Sequence, residues 1–171
     1  MKEEFNAAKF GDLLSANSEY VETFKYSDLT GSAARGLAIV TCMDSRINPL
    51  SVVGMRSGDA KILRNAGARV TEDVLRTLVL ATYLLNVDRI LVMPHTDCRM
   101  AQSDESNIHE LIESKFGVDT RSLEFRVTKD QEAALKSDIT SIRAYPLIRE
   151  GVSVAGAIYD VKTGKIDFKN F

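Results

Sequence analysis

Gly36-Leu37-Ala38-Ile39-Val40-Thr41-Cys42 is an almost unbroken apolar run. A strand with one wet face alternates polar and apolar residues. One that is apolar throughout is covered on both faces, as a central strand of a parallel sheet is. Arg89-Ile90-Leu91-Val92-Met93 repeats the pattern. Each run ends on a chemically dense cluster, Cys42-Met43-Asp44-Ser45-Arg46 after the first and Pro94-His95-Thr96-Asp97-Cys98 after the second. The two clusters hold both cysteines of the chain and one of its two histidines.

Outward from these runs, strands and helices alternate. Pro49 opens a short helical turn through Val53, closed by Gly54. Residues 59–63 read as a strand that ends at Arg64-Asn65-Ala66-Gly67. Thr71-Glu72-Asp73-Val74 caps a helix to about Asn86, with Val74, Leu75, Leu78, Leu84 and Leu85 as apolar positions. A strand over 88–93 follows, then helices near 107–115 and 129–143, the latter ending before Pro146. A strand over 151–159 is joined by Lys162-Thr163-Gly164-Lys165 to a short strand 166–168, and so tight a loop implies an antiparallel hairpin. The order predicts an α/β fold: a mostly parallel central sheet of four strands flanked by helices, with a short antiparallel edge strand. The expected organisation is one domain over 1–171, with a peripheral N-terminal helical segment (1–35) and an α/β core (36–171). Phe5 to Leu14 fits an amphipathic helix outside that core.

At 171 residues, a single domain buries roughly 70% of the surface its unfolded chain exposes. Hydrophobic content of 44%, charged content of 27% and a net charge of -2 are ordinary. Lysines and arginines are scattered, which excludes recruitment of nucleic acid or of an anionic membrane by charge. The start, Met1-Lys2-Glu3-Glu4-Phe5-Asn6, lacks the apolar core of a secretion signal. A cytoplasmic location is expected, where two cysteines are thiols or metal ligands more often than a disulfide.

Two thiolates and an imidazole at the ends of two buried strands make an open zinc site: Cys42, His95 and Cys98 bind, and a fourth position is left for water. His95 and Cys98 are three residues apart, which suits a turn or a helix's first turn. Cys42, Asp44 and Arg46 share parity and would share a face if the strand stayed extended through 46. Four alternatives compete: inert buried thiols, a redox disulfide without the usual C-x-x-C spacing, a closed structural site with His109 on a surface helix as fourth ligand, and a plain Asp44–Arg46 surface ion pair. There is no G-x-x-x-x-G-K-[ST] loop, G-x-G-x-x-G turn, G-x-S-x-G elbow or H-E-x-x-H helix, so nucleotide-dependent chemistry has no support.

The motifs Cys42-x-Asp44-x-Arg46 and His95-x-x-Cys98, with Arg64-Asn65-Ala66-Gly67 between them, resemble the β-class carbonic anhydrases, and most of all the short bacterial members. The resemblance covers residues 36–100 closely. It implies zinc on Cys42, His95 and Cys98, Asp44 and Arg46 as a catalytic dyad, and Asn65, Ala66 and Gly67 along the substrate pocket. It implies reversible hydration of carbon dioxide to bicarbonate by a zinc-bound hydroxide that Asp44 orients, and a homodimer or higher homo-oligomer. Relatives on this scaffold also hydrolyse carbon disulfide or related molecules, so a thio-analogue such as carbon disulfide or carbonyl sulfide is the second enzymatic reading. A non-catalytic zinc-binding scaffold is the third. Two departures stand out. Arg99 takes the place of a glycine common after the second cysteine; it costs of order 1 kcal/mol if that position needs φ > 0, and otherwise puts a cation near the zinc mouth. The pocket glutamine of plant-type members has no counterpart ahead of Cys42, the only glutamines being Gln102 and Gln131.

Overall fold

The structure, a computed structural model, describes residues 7–171. Phe5, where the N-terminal helix was expected to begin, lies outside them. The chain parts into two compact units, one up to Thr30 and one from Gly31 to Phe171. The first carries α1 (Ala7–Glu22), longer than the amphipathic segment expected. Its Leu13, Leu14 and Val21 are more than half exposed. Tyr20, Phe24 and Tyr26 stack edge to face in sequence, with ring centroids 5.6 and 5.8 Å apart.

The second unit is built on the sheet that the apolar runs predict. Its elements are β1 (Leu37–Cys42), α2 (Pro49–Val52), β2 (Ala60–Asn65), α3 (Glu72–Leu84), β3 (Arg89–Met93), α4 (Arg99–Gln102), α5 (Glu105–Phe116), α6 (Gln131–Ala144), β4 (Ser153–Tyr159) and β5 (Ile166–Lys169). The strand order is β2-β1-β3-β4-β5. The first four strands pair in parallel, and β5 closes the edge antiparallel to β4. Every residue of β1 is buried. Ala38, Val40, Ile90 and Val92 pack with Leu78, Leu135, Ile139 and Ile142 in one core. Leu37, Ile39, Leu91 and Met93 face a second core with Ala157, Cys42 and Cys98. Strand alternation thus feeds two apolar layers, one on each face. A Cβ at Gly156 would run into Ile139 and Leu135, so the missing side chain lets α6 lie directly on β4.

The chain steps from β1 outward to β2, then returns to place β3 on the other side of β1. Ligand sites in such sheets form beyond the strand ends where the order reverses, and here that point lies past Cys42 and Met93.

Two expectations need correction, and one condition goes unmet. β2 does not stop at residue 63: Arg64 and Asn65 continue the ladder opposite Thr41 and Cys42, and a 3-10 turn, Ala66–Ala68, follows. β1 ends at Cys42, as its apolar run implies, so the extended chain that would put Cys42, Asp44 and Arg46 on one face is absent: a turn forms in which the Ile47 amide donates to the Asp44 carbonyl at 3.1 Å. His109 is buried rather than on a wet face, with its ring against Phe125 and Nδ1 2.8 Å from Thr120 Oγ1.

Candidate metal centre

Cys42 is delivered by the end of β1. Thr41 Oγ1 donates to the Met93 carbonyl at 2.7 Å, fixing that strand end against the end of β3. Beyond β3 the chain keeps its pairing with β4: the Tyr159 amide donates to the Pro94 carbonyl and the Thr96 amide to the Tyr159 carbonyl, both at 2.9 Å. Gln131 Nε2 donates to the His95 carbonyl at 2.8 Å, tying the same segment to the start of α6. Asp97 then adopts a left-handed conformation, φ 55°, and turns the chain so that Cys98 sits at the head of α4.

Cys42 Sγ, a ring nitrogen of His95 and Cys98 Sγ lie within 4.8 Å of one another, all three side chains buried. The 2.8 Å hydrogen bond from His95 Nδ1 to the Thr96 carbonyl assigns the Nδ1–H tautomer and turns the Nε2 lone pair inward. Nε2 is the one buried side-chain nitrogen or oxygen among the described residues without a hydrogen-bond partner. An unmet polar atom in a buried site calls for a partner, and two sulfurs facing it make a donor set for a soft divalent cation. A hydrogen bond links the two sulfurs. Hydrogen bonding from Cys98, which outweighs burial, draws the Cys42 pKa far down; the Cys42 thiolate, aided by burial, pushes that of Cys98 up. The Gly67 amide donates to Cys42 Sγ at 3.4 Å from a residue with φ 79°, a conformation glycine adopts without strain. Burial works against charge on the His95 ring, yet the Cys42 sulfur, the Thr96 carbonyl and Asp44 raise its pKa. The surroundings of Nε2 therefore favour a positive charge, and the residues fit a bound cation that would strip the remaining thiol proton.

Asp44 and Arg46 meet through the turn. The Arg46 amide donates to Asp44 Oδ1 at 2.9 Å, and the guanidinium grips both carboxylate oxygens, Nε to Oδ1 at 2.9 Å and Nη2 to Oδ2 at 2.7 Å. This bidentate grip holds the Asp44 pKa well below the usual carboxylate range. Asp44 Oδ2 lies 3.7 Å from His95 Nε2, so the carboxylate borders the cation position. Arg64 braces the same turn from β2, donating to the Cys42 carbonyl at 2.9 Å and the Asp44 carbonyl at 2.6 Å.

A cavity of about 580 Å³ opens over these groups, lined by Met43, Ala66, Arg99 and Met100 besides the residues already named. Of the three residues expected along a substrate pocket, Ala66 lines it and Gly67 serves Cys42. The Asn65 side chain instead clasps the Arg69 backbone, accepting at 2.8 Å and donating at 2.7 Å. His109 does not join the donor cluster. Arg99 begins α4 and is not among the residues with positive φ, so it carries no left-handed strain. The sequence reading gave no role to Arg64, Asp97, Gln102 or Gln131. Arg64 and Asp97 stand inside the quoted motifs, which was the only signal available.

The carbonic anhydrase family model matches residues 37–166. Beta-carbonic anhydrase 1 of Mycobacterium tuberculosis is 32% identical over 157 residues, covering 91% of this chain and 94% of that protein. A carbon disulfide hydrolase of Saccharolobus solfataricus is 30% identical over 156 residues, covering 77% of this chain and 76% of that protein. Among solved structures, a carbonic anhydrase from Streptococcus mutans superimposes with a TM-score of 0.88 at 36% identity, covering 98% of this chain and 99% of its own.

Proposed function

The chain belongs to the β class of the carbonic anhydrase family, and from that membership we propose that it holds one zinc ion on Cys42, His95 and Cys98 and interconverts carbon dioxide and bicarbonate. The observation that carries this reading is the unpartnered His95 Nε2, facing two thiols and bordered by a carboxylate that Arg46 holds. Zinc bound there would lower the pKa of a coordinated water from about 15.7 to about 7. The chain's own residues do the rest. Asp44, which when ionised accepts hydrogen bonds and donates none, takes the hydrogen bond of the attacking oxygen and aims its free lone pair away from the carboxylate. Arg46 holds Asp44 to one orientation. The Gly67 amide and the Thr96 carbonyl steady two of the ligands. Met43, Met100 and Ala66 give the cavity an apolar side suited to an uncharged, nonpolar substrate. The reducing cytoplasm expected from the sequence suits this donor set, since it keeps both cysteines as thiols.

Carbon disulfide is the competing substrate, favoured by the named hydrolase relative and by the same apolar side. A non-catalytic zinc scaffold would leave the Asp44–Arg46 grip without a purpose. Stopped-flow measurement of proton release from carbon dioxide by the zinc-loaded protein, beside a carbon disulfide assay, tests the assignment. Turnover of carbon dioxide that chelation abolishes supports it. Turnover of carbon disulfide alone reassigns the substrate, and neither activity leaves the scaffold.

Two further expectations arise here. Arg99 is exposed on the cavity rim and has no ion-pair partner among the described residues. A permanent cation there draws small anions toward the site, so Arg99→Gly should raise inhibition constants for thiocyanate roughly threefold to tenfold. Constants unchanged by the substitution would make the charge a bystander. The apolar residues exposed on α1 need a covering surface, and a second copy of the chain supplies one. Light scattering should find a dimer or larger at micromolar concentration; a fully active monomer would remove that role from α1.

A further inference from the structure

Arg46 is held from two sides. Besides its grip on Asp44, Nη1 donates to Asp97 Oδ2 at 2.8 Å and Nη2 to the Asp97 carbonyl at 3.1 Å. The remaining Asp97 oxygen, Oδ1, accepts from Gln102 Nε2 at 2.7 Å. A guanidinium carries five N–H donors in a rigid fork, and here that fork makes four bonds to two residues far apart in sequence, Asp44 after β1 and Asp97 beyond β3. Asp97 offers both its carboxylate and its carbonyl to one guanidinium while in the left-handed region, φ 55°. A non-glycine residue held there is over-determined by its surroundings, and such residues cluster at functional sites.

The brace closes on itself. Gln102 lies on α4, and α4 sits against the Ala66–Ala68 turn: a Cβ at Gly67 would be 3.2 Å from Met100 Cβ. Gly67 in turn donates to Cys42. One connected path therefore runs from Asp44 through Arg46, Asp97 and α4 back to a metal ligand.

We infer that Asp97, braced by Gln102, is a positioning residue that keeps Arg46 turned onto Asp44 and thereby keeps the Asp44 carboxylate off the metal position. The motive lies in distance: Asp44 Oδ2 is only 3.7 Å from His95 Nε2, so a carboxylate released from Arg46 needs little movement to occupy the place that the attacking water oxygen requires. Arg46 and Asp97 side chains are each nearly half exposed, at 45% and 48%. A bridge so wet contributes little to folding stability, which separates a positioning role from a structural one.

The inference rests on the function proposed above, and its test has a readout independent of it. Asp97→Gly keeps the backbone carbonyl and the left-handed conformation while removing the carboxylate; Asp97→Asn keeps an acceptor for Arg46 and tolerates the same conformation. With zinc loaded, Asp97→Gly should lose about 10-fold to 100-fold in kcat, the range for residues that orient groups around a metal site, with KM and metal content retained. Asp97→Asn should recover part of that loss, and Gln102→Ala should lie between. With cobalt in place of zinc, the visible absorption of the parent protein should change on adding thiocyanate, and in Asp97→Gly that response should weaken as Asp44 takes the open position. Either readout at its parent value, or loss of metal from Asp97→Gly, overturns the inference. A parent protein that responds to thiocyanate but does not hydrate carbon dioxide would refute the proposed substrate and leave the cobalt test standing.

Discussion

Purified Cys98→Ser should contain less than a tenth of the zinc found in the parent protein, and its carbon dioxide hydration should fall with the metal. Changes to groups that merely orient a metal ligand cost about 10-fold to 100-fold in affinity, and removal of a ligand costs more. A neutral serine hydroxyl does not become an anion under conditions where a thiol facing a cation does. Both cysteines are buried within 4.8 Å of the His95 ring nitrogen, and the carboxylate beside them, Asp44, is gripped by Arg46. Cys42→Ser should behave alike, with the added loss of the sulfur that accepts from the Gly67 amide. Metal analysis by mass spectrometry checks both variants. Full zinc occupancy in Cys98→Ser would remove Cys98 from the ligand set and reopen the reading of these residues as inert buried thiols.

Asp44→Asn should keep its zinc and lose about 100-fold or more in kcat, the scale of a positioned proton acceptor. The substitution keeps the shape but exchanges one acceptor oxygen for a donor. That donor then faces a guanidinium that already donates to both carboxylate oxygens at 2.7 and 2.9 Å, and the bidentate grip cannot re-form. Arg46→Ala should show the same loss from the other side, by freeing Asp44. Steady-state kinetics with parallel metal analysis separates these effects from loss of the ion. If both variants hydrate carbon dioxide at the parent rate, Asp44 and Arg46 form a surface ion pair and the proposed mechanism fails.

The parts of this molecule that could be read in the sequence are those written in local patterns. β1 and β3 are legible because a strand covered on both faces shows an uninterrupted apolar run, and Leu37–Val40 and Ile90–Met93 are such runs. The antiparallel β4–β5 hairpin follows from the short loop around Gly164. Cys42, His95 and Cys98 stand out because few roles other than metal binding require those residue types at the ends of neighbouring strands.

What stayed hidden depends on contacts distant in sequence. The parity of Asp44 and Arg46 would put them on one face only in an extended chain; they meet because a turn after Cys42 brings them together, and Arg64 from β2 holds that turn by its carbonyls. Parity carries no information once a strand has ended. The extension of β2 through Asn65 is set by its partner β1 rather than by the polar residues Arg64 and Asn65 themselves. α4, four residues long, is too short to show a helical period. Asp97 sat inside a quoted motif without a role, since neither its left-handed backbone nor its bond to Arg46 leaves a local signature. Asn65 shows the limit in the other direction: its neighbour Ala66 lines the cavity, while its own amide is committed to the Arg69 backbone.

Zinc-edge X-ray absorption on the protein as purified tests the central claim most directly, because it counts the donors around the ion without assuming a substrate. Two sulfurs at about 2.3 Å, one imidazole nitrogen at about 2.0–2.1 Å and one further light atom are the result predicted. Addition of bromide should replace that light atom with a heavier scatterer, showing that the fourth position is open to exchange. A shell of three or more sulfurs, of two imidazoles, or of two sulfurs and one imidazole with a fourth donor that bromide never displaces would contradict an open site on Cys42, His95 and Cys98.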